Sequence, residues 1–224
     1  MGIGIGIGTG MGLGMGLAQR LRDGTQALHT TAERAGVMPA MLRGTLPAAD
    51  FWRLQRNLLL VYQALEAALQ QHATHPLLAP LQLAPLARCA LLLDDLAVGA
   101  GPHWQDDLAL CVAATAYADR LQALARQQPP ALAAHAYVRY LGDLAGGQAL
   151  RRVAQRAYGL QGDAGTRFFD FGPPAQVAQL GQQLRQALDG LALDETTMQT
   201  LVAEAQWAFA QHVRLFDELA ASGR

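Results

Sequence analysis

The stretch from Ala134 to Gln148 constrains the fold of this chain more than any other. It has the pattern of a helix, yet three of its residues, Gly142, Gly146 and Gly147, are glycines within six positions. Each interior glycine weakens a helix by about 1 kcal/mol relative to alanine. The pattern favours two explanations equally: close packing against another element, or a flat ligand lying against bare backbone where the helix bends.

Charged residues share one face of this glycine-bearing helix. Arg139, Asp143 and Gly147 follow one another at four-residue spacing, so one charged pair and a glycine gap lie on the same side. A carboxylate in a pocket of low dielectric needs a partner, and Arg139 is one turn away from Asp143. The spacing therefore predicts an Asp–Arg pair beside the gap.

Composition bounds the class of protein. The 224 residues suffice for one domain, and the net charge of −1 argues against nucleic-acid binding. No apolar run reaches the roughly 18–20 residues that a membrane span requires. The two cysteines, Cys89 and Cys111, lack a Cys-x-x-Cys spacing and are expected to be free thiols, which suits the cytoplasm.

The first sixteen residues differ from the rest. Residues 1–16 alternate glycine with Ile, Thr, Met or Leu and contain eight of the 23 glycines. Glycine at every second position supports neither a stable helix nor a strong strand. We expect a flexible glycine-rich extension over residues 1–16 and one domain over residues 17–224.

Apolar residues at helical spacing predict an all-α, single-domain fold. The glycines and prolines at positions 36, 39, 44 and 47 predict a turn-rich connection, and Asp94–Asp95 is expected at a solvated edge. The expected helices cover residues 17–35, 48–72, 83–98, 103–127, the glycine-bearing stretch up to 158, 175–189 and 194–221.

The glycine-bearing stretch resembles the signature of the heme oxygenase family. The residues that carry the resemblance are Tyr137, Arg139 and the run Tyr-Leu-Gly-Asp-Leu-Ala-Gly-Gly-Gln over 140–148. A His-Thr-Thr-Ala-Glu run over 29–33 is similar to the first helix of that family, and the likeness extends from about Leu17 to Ala221. It implies a helical heme oxygenase-like bundle with a glycine-kinked distal helix.

The resemblance also implies a reaction. Heme oxygenases are monooxygenases of EC class 1.14 that cleave heme oxidatively to biliverdin, carbon monoxide and ferrous iron. They use O₂ and external electrons, and heme b is both substrate and cofactor. We expect the same activity here.

Residue roles follow from the resemblance position by position. His29 is the expected axial iron ligand, although a lone helical histidine is more often an ordinary surface or core residue, and Glu33 one turn later can reach its ring. Asp143 is expected to hold a distal water, with Arg139 and Tyr62 completing its network. The remaining expected heme contacts are Arg22, Tyr137 and Arg185 at the propionates, Gly142, Gly146 and Gly147 along the distal backbone, and Phe209 and Phe216 in the pocket wall.

Three positions depart from the family pattern. Gln26 replaces a second N-terminal lysine, Gly181 lies one turn before Arg185, and His212 replaces an asparagine of the distal network. Fewer cationic groups could let heme rotate, so the site of ring opening stays open, with the α-meso carbon as the default. His212 could tune proton supply.

The expected partners are heme and an electron donor. Arg151 and Arg152 match a basic surface on which relatives dock a ferredoxin or reductase, although a solvated face explains them equally well. No hydrophobic tail follows Arg224, so we expect no membrane anchor, a soluble bacterial form and a monomer.

Alternatives remain at this point. The chain could bind or store heme without turnover, or be a structural helical domain. A helical di-iron oxidase would need Glu-x-x-His pairs, and none of the five glutamates is followed by histidine three places later. His135, beside the signature, is a rival to His29 as the iron ligand.

Overall fold

The computed structural model describes residues 15–222, and the regular structure within that range is helical without a strand. The expected glycine-rich extension lies almost wholly in residues 1–14, outside the described residues, so it stays a prediction. The all-α prediction is confirmed. Within the same range no helix is long and apolar enough to cross a membrane.

The polypeptide forms α-helices joined by short 3₁₀ turns. Their bounds are α1 Leu17–Arg34, α2 Met38–Arg43, α3 Ala48–Gln71, α4 Cys89–Gly99, α5 Trp104–Asp107, α6 Val112–Gln127, α7 Leu132–Ala136, α8 Gly142–Tyr158, α9 Pro174–Asp189 and α10 Glu195–Ser222. A π-helical turn, Tyr137–Leu141, joins α7 to α8. Such turns widen a helix locally and are frequent at functional sites.

Long helices build the core. Helix α1 packs along α10, and α3 packs along α6 and α4, while α10 also contacts α6 and α7. The largest side chains at the centre, including Phe51, Tyr62 and Tyr117, are fully buried. This arrangement places α1, α3, α8 and α10 around one space in the middle of the bundle.

Two sequence predictions in the first half were wrong. The connection after Gly36 contains helix α2, because Pro39 occupies its first turn, where a missing N–H costs nothing. The helix expected over residues 103–127 is broken into α5 and α6. Asn57 on α3 causes the break: its amide donates to the Ala109 carbonyl at 3.2 Å and accepts from the Cys111 N–H at 2.7 Å, replacing helical bonds.

Helix α4 begins at Cys89 rather than near residue 83, and its start is capped from another helix. The Glu66 carboxylate of α3 accepts the backbone N–H of Arg88 at 2.5 Å. The expectation of a solvated edge was wrong for Asp95, which is 1% exposed. Its carboxylate accepts the N–H groups of Arg167 at 3.0 Å and Phe168 at 2.8 Å, so it anchors the aromatic loop 167–171.

Arg88 holds the other side of this loop. Its buried guanidinium donates to the carbonyls of Phe168 at 3.2 Å and Asp170 at 2.9 Å. It also donates to the Pro85 carbonyl at 2.6 Å and lies 3.9 Å from the centre of the Phe171 ring. Burial lowers the pKa of Arg88 to about 10, which leaves the side chain charged at neutral pH.

We expect Arg88→Leu to destabilise the protein by about 3 kcal/mol, because several buried carbonyls lose their donor together. Urea unfolding followed by circular dichroism measures the change. The exposed Arg126→Leu is the control and should stay within about 0.5 kcal/mol of the wild type. Equal stabilities of the two variants would contradict this role for Arg88.

Candidate functional site

Two adjoining cavities open in the middle of the bundle. The inner cavity has about 810 Å³ of empty space and the outer cavity about 1030 Å³, with the open solvent at their mouths included. Both are lined by His29, Val138, Gly142 and Phe209, so they meet at these residues. Apolar side chains dominate the inner wall: Ala32, Met38, Met41, Leu54, Leu58, Leu150, Phe168, Phe169 and Phe216.

His29 projects from α1 into the junction of the two cavities. Its side chain is 45% exposed, its Nδ1 lies 3.6 Å from Glu33 Oε1, and its ring meets Phe209 edge-on. The imidazole is therefore accessible to a ligand, and a carboxylate beside one nitrogen can orient the ring. Phe209 lines both cavities and Phe216 the inner one, where the resemblance put both residues.

A buried polar network lies on another wall of the inner cavity. Arg139 donates from Nε to the Tyr62 hydroxyl at 3.2 Å and from Nη2 to Asp143 Oδ1 at 3.0 Å. The Tyr62 hydroxyl donates to the other oxygen of Asp143. The third donor group of Arg139, Nη1, lies 2.8 Å from His212 Nε2. The structure thus brings these three residues together with His212, which the resemblance had also placed in the distal network.

Charge in this network is set by burial. Burial raises the pKa of Asp143 well above its usual value, while the adjacent Arg139 favours the carboxylate. Burial also lowers the pKa of Arg139 to about 10. The pKa of His212 lies well below its usual value because of burial and the nearby Arg139. His212 is therefore neutral at pH 7, and its Nε2 accepts the hydrogen bond from Arg139.

The three signature glycines do different things. A Cβ atom built on Gly142 would have no neighbour within 4 Å, so this glycine leaves the cavity wall bare. A Cβ on Gly146 would lie 4.0 Å from Leu150 Cδ1, an ordinary contact, whereas a Cβ on Gly147 would lie 3.0 Å from the Phe169 carbonyl oxygen. Gly142 lines both cavities, but Gly146 and Gly147 line neither. Gly147 therefore serves packing, and a bend at the glycines stays a prediction.

Two arginines and a tyrosine, the residues expected to contact the heme propionates, line the outer cavity. Arg22 of α1, Tyr137 and Arg185 of α9 lie around it. Burial raises the pKa of Tyr137, while a hydrogen bond with Thr25 and the charges of Arg185 and Arg22 oppose that rise. A Cβ on Gly181 would lie 3.2 Å from Arg185 Nη1, so the guanidinium rests over this glycine.

The rival ligand His135 does not line either cavity. It is completely buried, with Nδ1 3.0 Å from the Tyr117 hydroxyl and Nε2 3.1 Å from Glu204 Oε1. Glu204 also accepts two hydrogen bonds from Arg120, at 2.6 and 3.0 Å. Both ring nitrogens of His135 are thus occupied by protein groups, whereas the ring of His29 faces open space.

The sequence did not indicate three residues of the inner-cavity wall, and one residue of the expected docking surface makes a structural ion pair. Met38 and Met41 belong to α2, which was not predicted because Pro39 suggested a turn. Gln55 is not part of any recognisable motif. Arg151 is bound to Asp170 at 2.8 Å, next to the aromatic loop, so it is a structural residue as well as a basic one. Arg152 is exposed.

The His135–Glu204 pair generates a prediction about acid stability. Burial alone would raise the pKa of Glu204, but the hydrogen bonds from Arg120 and His135 lower it from 4.5 to about 2. The stabilisation is present above pH 4.5 and is lost as the pH falls toward 2. We expect the wild type to lose about 2 kcal/mol of this stability between pH 7 and 3, and Glu204→Gln to lack that loss. Urea unfolding at both pH values tests this; parallel pH dependences would contradict it.

The chain is similar to known proteins in both sequence and structure. The heme oxygenase family model matches residues 15–218. Heme oxygenase 1 of Nostoc sp. is 36% identical over 203 residues, covering 91% of this chain and 85% of the relative. The crystal structure of heme oxygenase-2 from Synechocystis sp. in complex with heme and NO has a TM-score of 0.88 and 38% identity, covering 92% of this chain and 85% of that one. Heme oxygenase-1 of the same organism, in complex with heme, has a TM-score of 0.86 at 36% identity, covering 93% and 94%. The chain therefore belongs to the heme oxygenase family.

Proposed function

We propose that this protein binds heme b in the joined cavities and cleaves it to biliverdin, carbon monoxide and ferrous iron with O₂ and external electrons. One observation carries the proposal: the accessible imidazole of His29 lines the same apolar cavity as the buried Asp143–Arg139 pair, which Tyr62 holds from behind. The heme complexes of the Synechocystis relatives support it.

The residues present fit a heme. His29 offers an accessible nitrogen for the iron, and Glu33 would hold the other ring nitrogen's proton. The apolar inner wall suits the porphyrin, and Gly142 lets backbone approach it closely. When bound, heme supplies the redox-active iron that activates O₂.

The distal network would control protons near the heme. Asp143 is held by two donors, Arg139 and Tyr62, so its carboxylate keeps one orientation toward the cavity. A water hydrogen-bonded to Asp143 would be positioned to deliver protons, while the apolar wall limits other solvent. Neutral His212 would fix the far end of Arg139 and so maintain this orientation.

The outer cavity would hold the heme propionates. Arg22, Arg185 and the Tyr137 hydroxyl are donors suited to carboxylates. Asp189 also lines this cavity, where its carboxylate accepts the Ala18 N–H at 2.8 Å. Propionates held at this end would leave the opposite ring edge to the inner cavity, which would favour opening at the α-meso carbon. A monomeric, cytoplasmic enzyme is part of the same proposal.

The direct test is to mix heme, the protein and ascorbate in air. We expect heme absorbance to fall while biliverdin absorbance rises, and chromatography of the pigment to identify the isomer. A histidine-ligated heme spectrum without any biliverdin would instead indicate a heme-binding or storage protein. Failure to take up heme would contradict both functions.

The position of the iron ligand gives a second prediction. His29→Ala should lose the histidine-ligated heme spectrum and turnover, because it removes the accessible imidazole. His135→Ala should retain both, although it should be less stable because Tyr117 and Glu204 lose a buried partner. Absorption spectra of the heme-loaded variants, with unfolding curves as the control for folding, provide the measurement. The reverse pattern would exclude His29 as the ligand.

Docking of the electron donor is best tested at Arg152, because Arg151 is bound to Asp170. We expect Arg152→Glu to slow turnover driven by ferredoxin or reductase several-fold at low salt, while ascorbate-driven turnover stays unchanged. Arg126→Glu, an exposed arginine of α6, is the matched charge reversal. Equal effects of the two reversals would show that net charge, not docking at Arg152, matters.

A further inference from the structure

Gln55 is a polar residue whose position the heme chemistry above does not explain. It lies in α3, its side chain is 1% exposed, and it lines the inner cavity between Leu54 and Leu58. Its carbonyl oxygen Oε1 is buried and has no hydrogen-bond partner among the described residues 15–222. A buried amide left without a partner lowers the stability of the fold.

Asn57, two residues further along α3, shows how the fold treats an amide that it uses structurally. Asn57 is also fully buried, and its amide makes three hydrogen bonds, to the carbonyls of Arg53 and Ala109 and from the Cys111 N–H. Gln55, by contrast, lines the cavity, and its carbonyl oxygen has no such protein partner among the described residues. The partner of Gln55 is therefore expected to be a molecule inside the cavity.

No neighbouring polar group among the described residues donates a hydrogen bond to Gln55 Oε1. Tyr62 lies on the same face of α3, seven residues and about 10 Å along the helix axis, and it is bound to Asp143 and Arg139. Among the side chains around the inner cavity, those near Gln55 on α3 are leucines. The amide is thus a polar group among leucines on this helix, and Gln55 does not line the outer cavity.

A primary amide offers one acceptor and two donors in one plane. Its natural complement is a group that pairs a donor with an acceptor in the same plane, such as a cyclic lactam. Heme has no such group: away from its propionates, its periphery carries methyl and vinyl groups. Ring opening creates terminal lactams at the cleaved edge, and with the propionates held by Arg22 and Arg185, that edge faces the inner cavity.

We propose that Gln55 is a product-binding residue whose side-chain amide hydrogen-bonds a terminal lactam of the opened tetrapyrrole. This inference rests on the proposed function, because it requires biliverdin as the product. It assigns to the inner cavity a preference for product over substrate, since only the product carries the complementary group. Such a contact retains the pigment until it is released.

The test compares the binding of two added ligands to the heme-free protein. Gln55→Met removes the amide and nearly conserves the volume. We expect the dissociation constant for biliverdin to rise about ten-fold and that for heme to stay within about two-fold, measured by quenching of tryptophan fluorescence. Gln63→Met makes the same chemical change on the solvent side of α3 and should alter neither constant.

Other outcomes are equally decisive. Unchanged biliverdin binding would mean that Gln55 holds only water, and equal weakening of both ligands would mean that it shapes the cavity; either overturns the proposal. Gln55→Leu replaces the methionine variant if that variant does not fold. Because the test uses added biliverdin, it is independent of turnover: wild-type protein that makes no biliverdin from heme would refute the proposed function, whatever Gln55 does.

Discussion

The buried guanidinium of Arg139 is the interaction on which the centre of the structure depends. A cation in this position is stable only if its donors are used, and Tyr62, Asp143 and His212 use them from α3, α8 and α10. The bonds to Tyr62 and His212 connect helices that are far apart in sequence, whereas Asp143 lies only four residues from Arg139. The polar wall of the cavity and the packing of the bundle are therefore one arrangement, and a change in either one disturbs the other.

Remote carboxylates explain where several helices begin. Asp189 binds the first turn of α1, Glu66 that of α4 and Glu218 that of α6, each from a different helix. Carboxylates at these positions satisfy unpaired N–H groups and match the positive end of the helix dipole. Helices α4 and α6 have no local start signal, so their beginnings could not be predicted from neighbouring residues, whereas apolar spacing did predict the start of α1 at Leu17. Helix α10, whose cap Asp194 is local, began where the sequence predicted.

The distance in sequence between a residue and its partner also decided which features of the site could be predicted. The Asp143–Arg139 pair lies within one helical turn, so spacing alone predicted it, and the histidine at position 29 was identified from a local motif. Asp95 and Arg88 could not be placed, because their partners in the aromatic loop are more than seventy residues away. Gln55 could not be identified from the sequence for a further reason. The feature that distinguishes it is a buried carbonyl oxygen that accepts no hydrogen bond from the described residues.

Two residues of the same type differ here in whether the protein already contacts them fully (satisfied groups) or leaves them free to meet a ligand (available groups). This difference indicates function better than residue type does. His135 has both nitrogens occupied, whereas His29 faces the cavity. Gly147 packs against the Phe169 backbone, whereas Gly142 leaves open space. A satisfied group already contributes its hydrogen bond or contact to the stability of the fold, so a ligand gains little binding free energy by competing for it. An available group gains its hydrogen bond or contact only when a ligand binds, and His29, Gly142 and Gln55 all line the inner cavity.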